Sequence, residues 1–287
     1  MPLDHSIVGQ ESEPTQKSWD HKDALLYALG LGAGHDDQFA ELEYTTEHGE
    51  HGSGQKVLPS YGVMVTWGAG GGRKMGDFDP AKLVHAEQSI ELHRPLPTVG
   101  SVRITSMVTG IRDKGSGALV SSQARAVDAE TGEPVVTSRS SAFIMGEGGF
   151  GDPTLAEGAD AGIGPTPVPD RAPDEETTMR TWPGQALLYR LSGDWNPLHS
   201  NPEFAARGGF DKPILHGLCT YGISCRALVS AMAGKEMTGM AGRFSSPVIP
   251  GEELTVARWH LDDGSVAFQT RRADGTVVLD RGLSTWA

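Results

Sequence analysis

Two series of short strand-like segments, one in each half of the chain, limit the folds that this sequence can adopt. From Val84 to Met145, apolar and polar residues alternate in runs that are separated by turns such as DKGSG and ETGEP. A similar series extends from Gly242 to Trp286. Short alternating runs at this spacing are typical of antiparallel sheets. Because HRPLPTVGSVRI in the first series aligns with FSSPVIPGEELTV in the second, the sequence contains a weak internal repeat.

Helical patterns are fewer, and they occur at HKDALLYALGLGA, GQALLYRLSG and ILHGLCTYGISCRALVSAMA. In the third segment nearly every position is small or apolar, apart from His216 and Arg226, which predicts a helix buried on most sides. Each half of the chain therefore consists of a strand series and an apolar helix. A helix wrapped by a curved antiparallel sheet is the hot-dog arrangement. We predict an α+β double hot dog.

A segment rich in Gly, Pro, Asp and Ala, GEGGFGDPTLAEGADAGIGPTPVPDRAPDEETT, separates the two halves and has the composition of a linker. We place the first repeat at residues 1–149, the linker at 150–178 and the second repeat at 179–287. The chain has 287 residues, of which 38 are glycine and 18 are proline. This share is below the roughly 25–30% at which disorder is the better expectation.

Charge and cysteine usage exclude several classes of function. The chain has 24 basic and 37 acidic residues, a formal net charge of −13, and no long basic block, so nucleic acid is not an expected partner. Cys219 and Cys225 both lie in one apolar segment, which indicates a reducing environment rather than a disulfide framework.

Targeting signals and membrane spans are also not expected. The first thirty residues lack the apolar core of a signal peptide, and the last residues, STWA, differ from the peroxisomal tripeptide SKL. No stretch approaches the roughly 20 apolar residues of a membrane span. The expected location is the cytoplasm.

The segment SGDWNPLH gathers an acid, an amide and an imidazole on a loop that contains Gly193 and Pro197. Pro197 fixes a bend that can turn the side chains of Asp194 and His199 toward each other. A carboxylate and an imidazole that share one water are suited to general acid-base catalysis. The structural alternative is that Asp194 caps a helix and that His199 is an ordinary surface residue.

Two other chemistries fit the sequence less well. A hydrolytic triad is not expected, since no Gly-x-Ser-x-Gly elbow presents a serine, and Cys219 lies in an apolar run without a cationic neighbour. A metal site built from Asp194, His199 and His216 is imaginable, but neither a second acid nor a histidine pair at i, i+4 supports it. We therefore expect no metal.

The segment YRLSGDWNPLH, followed by GFDKPILHGLCTYG, resembles the 2-enoyl-CoA hydratase 2 family of MaoC-like, (R)-specific hydratases. In the first half, ALLYALGLGAG, HAEQSIELHRPLP, DKGSGALV and GEGGFGD resemble, in order, the N-terminal repeat of the eukaryotic-type members, which are double hot dogs. The resemblance extends from Ala24 to Trp286.

This resemblance implies syn hydration of a trans-2-enoyl-CoA to a (3R)-3-hydroxyacyl-CoA, without a metal or organic cofactor. Asp194 and His199 would hold and activate the water, and Asn196 would orient that pair. The backbone N–H of Gly217 would donate to the thioester oxygen, which gains negative charge during attack. The motif residues expected to bind substrate are Trp195, Pro197 and Leu198.

Further ligand contacts are implied outside the catalytic motif. His85 belongs to HAEQ, where relatives have HGEQ, so Ala86 departs from the family pattern. Lys114 is expected near the CoA phosphates, and Arg243 is a second candidate for them. Phe244 is expected against the ligand.

The first half has no counterpart of SGDWNPLH, because His48 and His51 lack a neighbouring Asn-Pro or aspartate. We therefore expect one half to be catalytic and the other to be supportive. The glycine-rich run from Gly68 to Gly76 predicts that the first half loses part of its central helix and leaves space for an acyl chain.

Two alternatives to a CoA hydratase remain open from the sequence. One is a dehydratase that acts on thioesters of an acyl carrier protein, and the other is a non-catalytic module that sequesters acyl-CoA. A homodimer through exposed sheet edges is a further expectation.

Overall fold

An antiparallel sheet dominates the computed structural model, which describes residues 3–48, 54–69, 75–158 and 162–287. Within these residues eleven strands join one sheet. In the first half they are β1 (Thr15–Trp19), β2 (Leu83–Leu92), β3 (Gly100–Asp113), β4 (Gly117–Asp128), β5 (Pro134–Met145) and β6 (Thr154–Leu155). In the second half they are β7 (Glu175–Arg180), β8 (Met237–Phe244), β9 (Glu253–His260), β10 (Val266–Arg272) and β11 (Val277–Trp286).

Helices are short, with one exception. They are α1 (His21–Gly30), α2 (Leu42–Thr45), α3 (Tyr61–Thr66), α4 (Gln185–Tyr189), α5 (Pro202–Arg207) and α6 (Gly217–Ala231). Helix α6 corresponds to the apolar segment predicted to be a buried helix, and its residues from Leu218 to Leu228 are all buried. No helix in the described part of the chain combines the length and the hydropathy that crossing a bilayer requires.

The strand order is β1-β3-β4-β5-β2-β8-β11-β10-β9-β7, and β6 pairs separately with β3. Five strands from each half therefore lie side by side, and the halves meet where β2 pairs antiparallel with β8, with Ser89 opposite Ala241. This is the double hot-dog fold. The two predicted sheets, one in each half, join edge to edge into a continuous sheet. Strand β7 includes the last residues of the segment expected to be the linker.

The two halves differ in their central helix. Helix α6 has 15 residues, whereas α3 has six and ends at Thr66. Lys17 Nζ donates to the carbonyl of Met64 at 2.5 Å, which places a cation at the C-terminal end of α3, where the helix dipole favours it. The predicted loss of helix in the first half agrees with the early end of α3. Residues 70–74 of the glycine-rich run lie outside the described residues. His51 lies outside them as well.

A polar contact and a close approach hold α1 against α6. Arg226, which interrupts the apolar pattern of α6, pairs with Glu41 and donates to the carbonyl of Leu31 at 2.6 Å. One turn earlier, Gly222 faces the side chain of Leu31, and a Cβ at Gly222 would lie 2.5 Å from a Leu31 methyl carbon. Glycine at this position therefore lets the two helices approach closely.

Substituting Gly222→Ala is expected to lower the free energy of unfolding by about 1–3 kcal/mol, because the added methyl overpacks the contact with Leu31. In a Leu31→Ala background the same substitution should cost much less, since the colliding methyl carbons are gone. Urea denaturation of the four proteins in this double-mutant cycle measures the coupling. Additive effects would show that the close approach does not determine the packing.

Candidate active site

The loop that carries the acid, the amide and the imidazole is shaped by its own backbone contacts. Gly193 has φ of 125°, a conformation that favours glycine, and it ends a short 3-10 turn. Asn196 then accepts from the N–H of Leu198 at 3.0 Å and caps the 3-10 turn Pro197–His199. The N–H of Asn196 donates to the Asp194 carboxylate at 3.2 Å. Asn196 thus contacts Asp194 through its main chain, while its side chain shapes the turn.

Both candidate catalytic side chains are buried, with Asp194 7% exposed and His199 8% exposed. His199 Nδ1 lies 2.9 Å from the carbonyl oxygen of Ile214. A carbonyl only accepts hydrogen bonds, so Nδ1 carries the hydrogen when the ring is neutral. The opposite nitrogen, Nε2, then has a free lone pair that can accept a proton from water.

A second histidine, His216, packs against this pair. It is fully buried, and its ring stacks on that of His199 with centroids 3.8 Å apart. His216 Nε2 donates to the main-chain carbonyl of Asp194 at 3.1 Å, whereas Nδ1 has no partner among the residues that the structure describes. His216 therefore holds the backbone of Asp194 and supports one face of the His199 ring.

A cavity of about 550 Å³ is lined by Asp194 and His199. Gly217, the first residue of α6, lines the cavity, and at this helix terminus its N–H has no intrahelical acceptor. A Cβ at Gly217 would lie 3.2 Å from the ring of Phe244, so a side chain there would crowd the cavity wall. His85 approaches Phe244 from the first half, with ring centroids 4.9 Å apart.

The cavity brings together more than half of the predicted site residues. Those that line it are Asp194, Asn196, Leu198, His199, Gly217, His85 and Phe244. Ala86 is not among the lining residues and sits at a bulge in β2, where the pairing with β5 shifts register between His85 and Glu87. Ala86 therefore interrupts the regular pairing of β2 with β5.

The remaining predicted residues lie at the surface. Lys114 is exposed in the turn between β3 and β4, Pro197 is exposed on the motif loop, and Arg243 is exposed on β8. Trp195 is 54% exposed, and the guanidinium carbon of Arg190 lies 4.4 Å from the centre of its ring. None of these four lines the cavity.

Comparisons with known proteins agree with this geometry. Residues 165–281 match the MaoC like domain, and residues 18–146 match the MFE-2 hydratase 2 N-terminal domain. The 3-hydroxyacyl-thioester dehydratase Y of Mycobacterium tuberculosis is 43% identical over 98% of each chain. The chain belongs to the MaoC-like hydratase 2 family.

Other members of the MaoC-like family also match nearly the whole length of this chain. The peroxisomal enoyl-CoA hydratase 2 of Arabidopsis thaliana is 36% identical over 97% of this chain and 96% of its own length. A solved structure of a MaoC-like dehydratase from Phytophthora capsici is 30% identical and superposes with a TM-score of 0.83, covering 98% of this chain and 97% of its own. Both halves of this MaoC-like chain therefore have counterparts in single relatives.

Burial sets the protonation of the histidines in this MaoC-like site. Burial lowers the pKa of His199 and raises that of Asp194, and their opposite charges partly offset both changes. Burial also lowers the pKa of His216 to about 2, so this ring stays neutral near pH 7. A neutral His199 beside an acid with a raised pKa can exchange a proton with a water between them.

The same three residues are the metal-ligand candidates in the described part of the MaoC-like chain. Asp194, His199 and His216 each offer one atom, and these atoms lie within 4.8 Å of one another. Metal bonds to nitrogen and oxygen are about 2.0–2.2 Å long. The ligand atoms of one bound ion therefore lie closer together than 4.8 Å.

The first half of the MaoC-like chain also supplies cavity residues that the sequence analysis missed. They include Trp67, Met75, Ser122, Ser140 and Ala142. The available signal was the polar run TSRSS at positions 137–141, which interrupts the apolar residues of β5.

We expect acid to destabilise the protein partly through His85, whose pKa burial lowers to about 4. Below about pH 6.5 the unfolded chain binds a proton at His85, whereas the folded protein does not until near pH 4, so stability falls as pH decreases across this window. Urea denaturation at about pH 7.5 and about pH 5 should show that His85→Gln reduces the acid-induced loss by roughly 1–2 kcal/mol.

The matched control is His48→Gln, since the His48 side chain is 84% exposed and should leave the pH dependence unchanged. An equal acid-induced loss in the wild type and in His85→Gln would contradict the assignment to His85.

Proposed function

We propose that this protein is a hydro-lyase that reversibly adds water to a trans-2-enoyl-CoA and forms a (3R)-3-hydroxyacyl-CoA in fatty-acid metabolism. The observation that carries the proposal is the buried Asp194–His199 pair, with a free Nε2 on His199, facing a cavity of about 550 Å³. Relatives that span the whole chain are named as enoyl-CoA hydratase 2 and as a 3-hydroxyacyl-thioester dehydratase. These two names describe opposite directions of one reaction.

In the proposed mechanism a water is held between Asp194 and His199. Its oxygen bonds to C3 of the substrate while its proton moves to His199 Nε2. The electron pair of the C2–C3 double bond shifts toward the thioester oxygen, and the N–H of Gly217 stabilises the charge that develops there. The Asp194 carboxyl group, which burial allows to be protonated at the start, then gives its proton to C2, and the proton held by His199 returns to Asp194 to complete the cycle. Both groups lie on one side of the substrate, so addition is syn.

Asn196 and His216 position this pair in the proposal. The N–H of Asn196 fixes the Asp194 carboxylate, and His216 holds the carbonyl of the same residue. Because both contacts act on the main chain or carboxylate of Asp194, the acid stays directed at the water. Such pre-positioning reduces the reorganisation that the reaction requires.

The acyl thioester enters the cavity, where Leu198, Phe244 and His85 contact it. Lys114 and Arg243 are exposed cations that we assign to the CoA phosphates, and Trp195 and Pro197 to the rim near them. Ala86 supports this wall through the bulge in β2. We favour CoA over an acyl carrier protein, since the CoA hydratases among the relatives span the chain.

Location and assembly are part of the same proposal. We propose a cytoplasmic enzyme, supported by two buried free thiols, Cys219 and Cys225. The Arabidopsis relative is named as peroxisomal, so cell fractionation is the deciding measurement. We propose a homodimer through the edge strands, which sedimentation in solution tests.

Replacing Asp194→Asn or His199→Gln should lower the rate of crotonyl-CoA hydration by at least about 100-fold, because each removes one proton-handling group. The loss of absorbance of the conjugated double bond follows the reaction directly. Circular dichroism and thermal melting should show that both variants remain folded.

Matched controls are Asp263→Asn and His260→Gln, which change the same residue types in and beside the turn between β9 and β10. Both should retain the wild-type rate. Near-wild-type hydration by either active-site variant would reject the mechanism, and binding of crotonyl-CoA without hydration by the wild type would indicate a non-catalytic thioester-binding module instead.

A further inference from the structure

A second cavity, of about 360 Å³, lies in the first half of the molecule. It shares Trp67, Met75, Ser122 and Ser140 with the catalytic cavity, so the two meet at these residues. The C-terminal end of α3 borders this cavity, and α3 has six residues, whereas α6 in the other half has 15. A long acyl group that starts at Asp194 and His199 can therefore extend toward this second cavity.

The wall of the second cavity is polar at positions where a sheet facing a hydrophobic core is ordinarily apolar. Gln88, Ser140 and Ser122 are direct cross-strand neighbours on β2, β5 and β4. Because side chains alternate along a strand, Ser138 on β5 and Ile90 on β2 share this face. Ile90 packs in the main core, whereas Ser138 lines the cavity.

Part of this polar wall has its hydrogen bonds satisfied, and part does not. The Gln88 amide donates to the hydroxyl of Ser138 at 2.9 Å and to the carbonyl of Ser89 at 2.9 Å. The hydroxyls of Ser122 and Ser140 have no hydrogen-bond partner among the described residues, and both residues are partly exposed to the cavity. A plain alkyl chain would remove water from these hydroxyls and offer nothing in return.

Charge narrows the class of ligand further. The described residues that line the second cavity include neither an acid nor a base. Burying a carboxylate or an ammonium group there would lack a compensating charge. A hydroxyl or carbonyl oxygen needs no such charge and can bond to serine, which both donates and accepts.

We infer that the preferred substrate is an enoyl-CoA whose acyl group carries an uncharged oxygen, a hydroxyl or a carbonyl, beyond the reacting carbons, and that Ser122 and Ser140 bind this oxygen. This inference rests on the proposed hydratase function and specifies its substrate class. The shared wall places Ser122 and Ser140 where an acyl chain passes from one cavity into the other.

Matched pairs of trans-2-enoyl-CoAs of several chain lengths, with and without a hydroxyl on the terminal carbon, test this inference. For the wild type, kcat/KM of the hydroxylated member should exceed that of the unsubstituted member by about tenfold or more at the length that reaches the serines. Ser122→Ala and Ser140→Ala should each reduce that ratio by about threefold or more. Ser121→Ala, on the opposite face of the same strand, is the control and should leave the ratio unchanged.

The inference would be overturned by a wild-type ratio of one or less at every chain length, or by a ratio that Ser122→Ala and Ser140→Ala both leave intact. Crotonyl-CoA separates this result from failure of the proposed function, because it is too short to contact the second cavity. Hydration of crotonyl-CoA without a preference for the hydroxylated chains would reject this inference alone. No hydration of any enoyl-CoA would reject the proposed function.

Discussion

The hydrogen bond from His199 Nδ1 to the carbonyl of Ile214 is the contact on which the proposed chemistry depends. It fixes the tautomer of a buried imidazole and directs the basic nitrogen, Nε2, away from the backbone. Burial lowers the pKa of this ring, so it remains neutral and able to accept a proton near pH 7. The stacked ring of His216 and its bond to the carbonyl of Asp194 hold the partner acid in place.

In the proposed function, the two halves of the duplicated fold have different roles. Helix α6 is long and buried, and its first residue, Gly217, brings a free main-chain N–H to the catalytic cavity. In the other half the short helix α3 leaves an extension of that cavity. The continuous sheet joins the two through β2 and β8. In the proposed function, one half supplies the reacting groups and the other supplies space and contacts for the acyl chain.

That Asp194 and His199 of the motif SGDWNPLH lie together was predictable, because they are within six positions of each other and local turns bring both to one cavity. The alternation of apolar and polar residues could not predict that the two sheets join. The pairing of Ser89 with Ala241 connects residues that are far apart in the sequence. The place of His216 was also not predictable, because it depends on a ring contact and a carbonyl across the loop.

The steric course of addition tests the proposed mechanism, since two groups on one side of the substrate must deliver both parts of water to the same face. Crotonyl-CoA should be hydrated in D₂O, and the configuration at C2 and C3 of the product should be determined by NMR. The proposed mechanism predicts a 3R alcohol with deuterium and hydroxyl added to one face. A 3S alcohol, or addition to opposite faces, would contradict it.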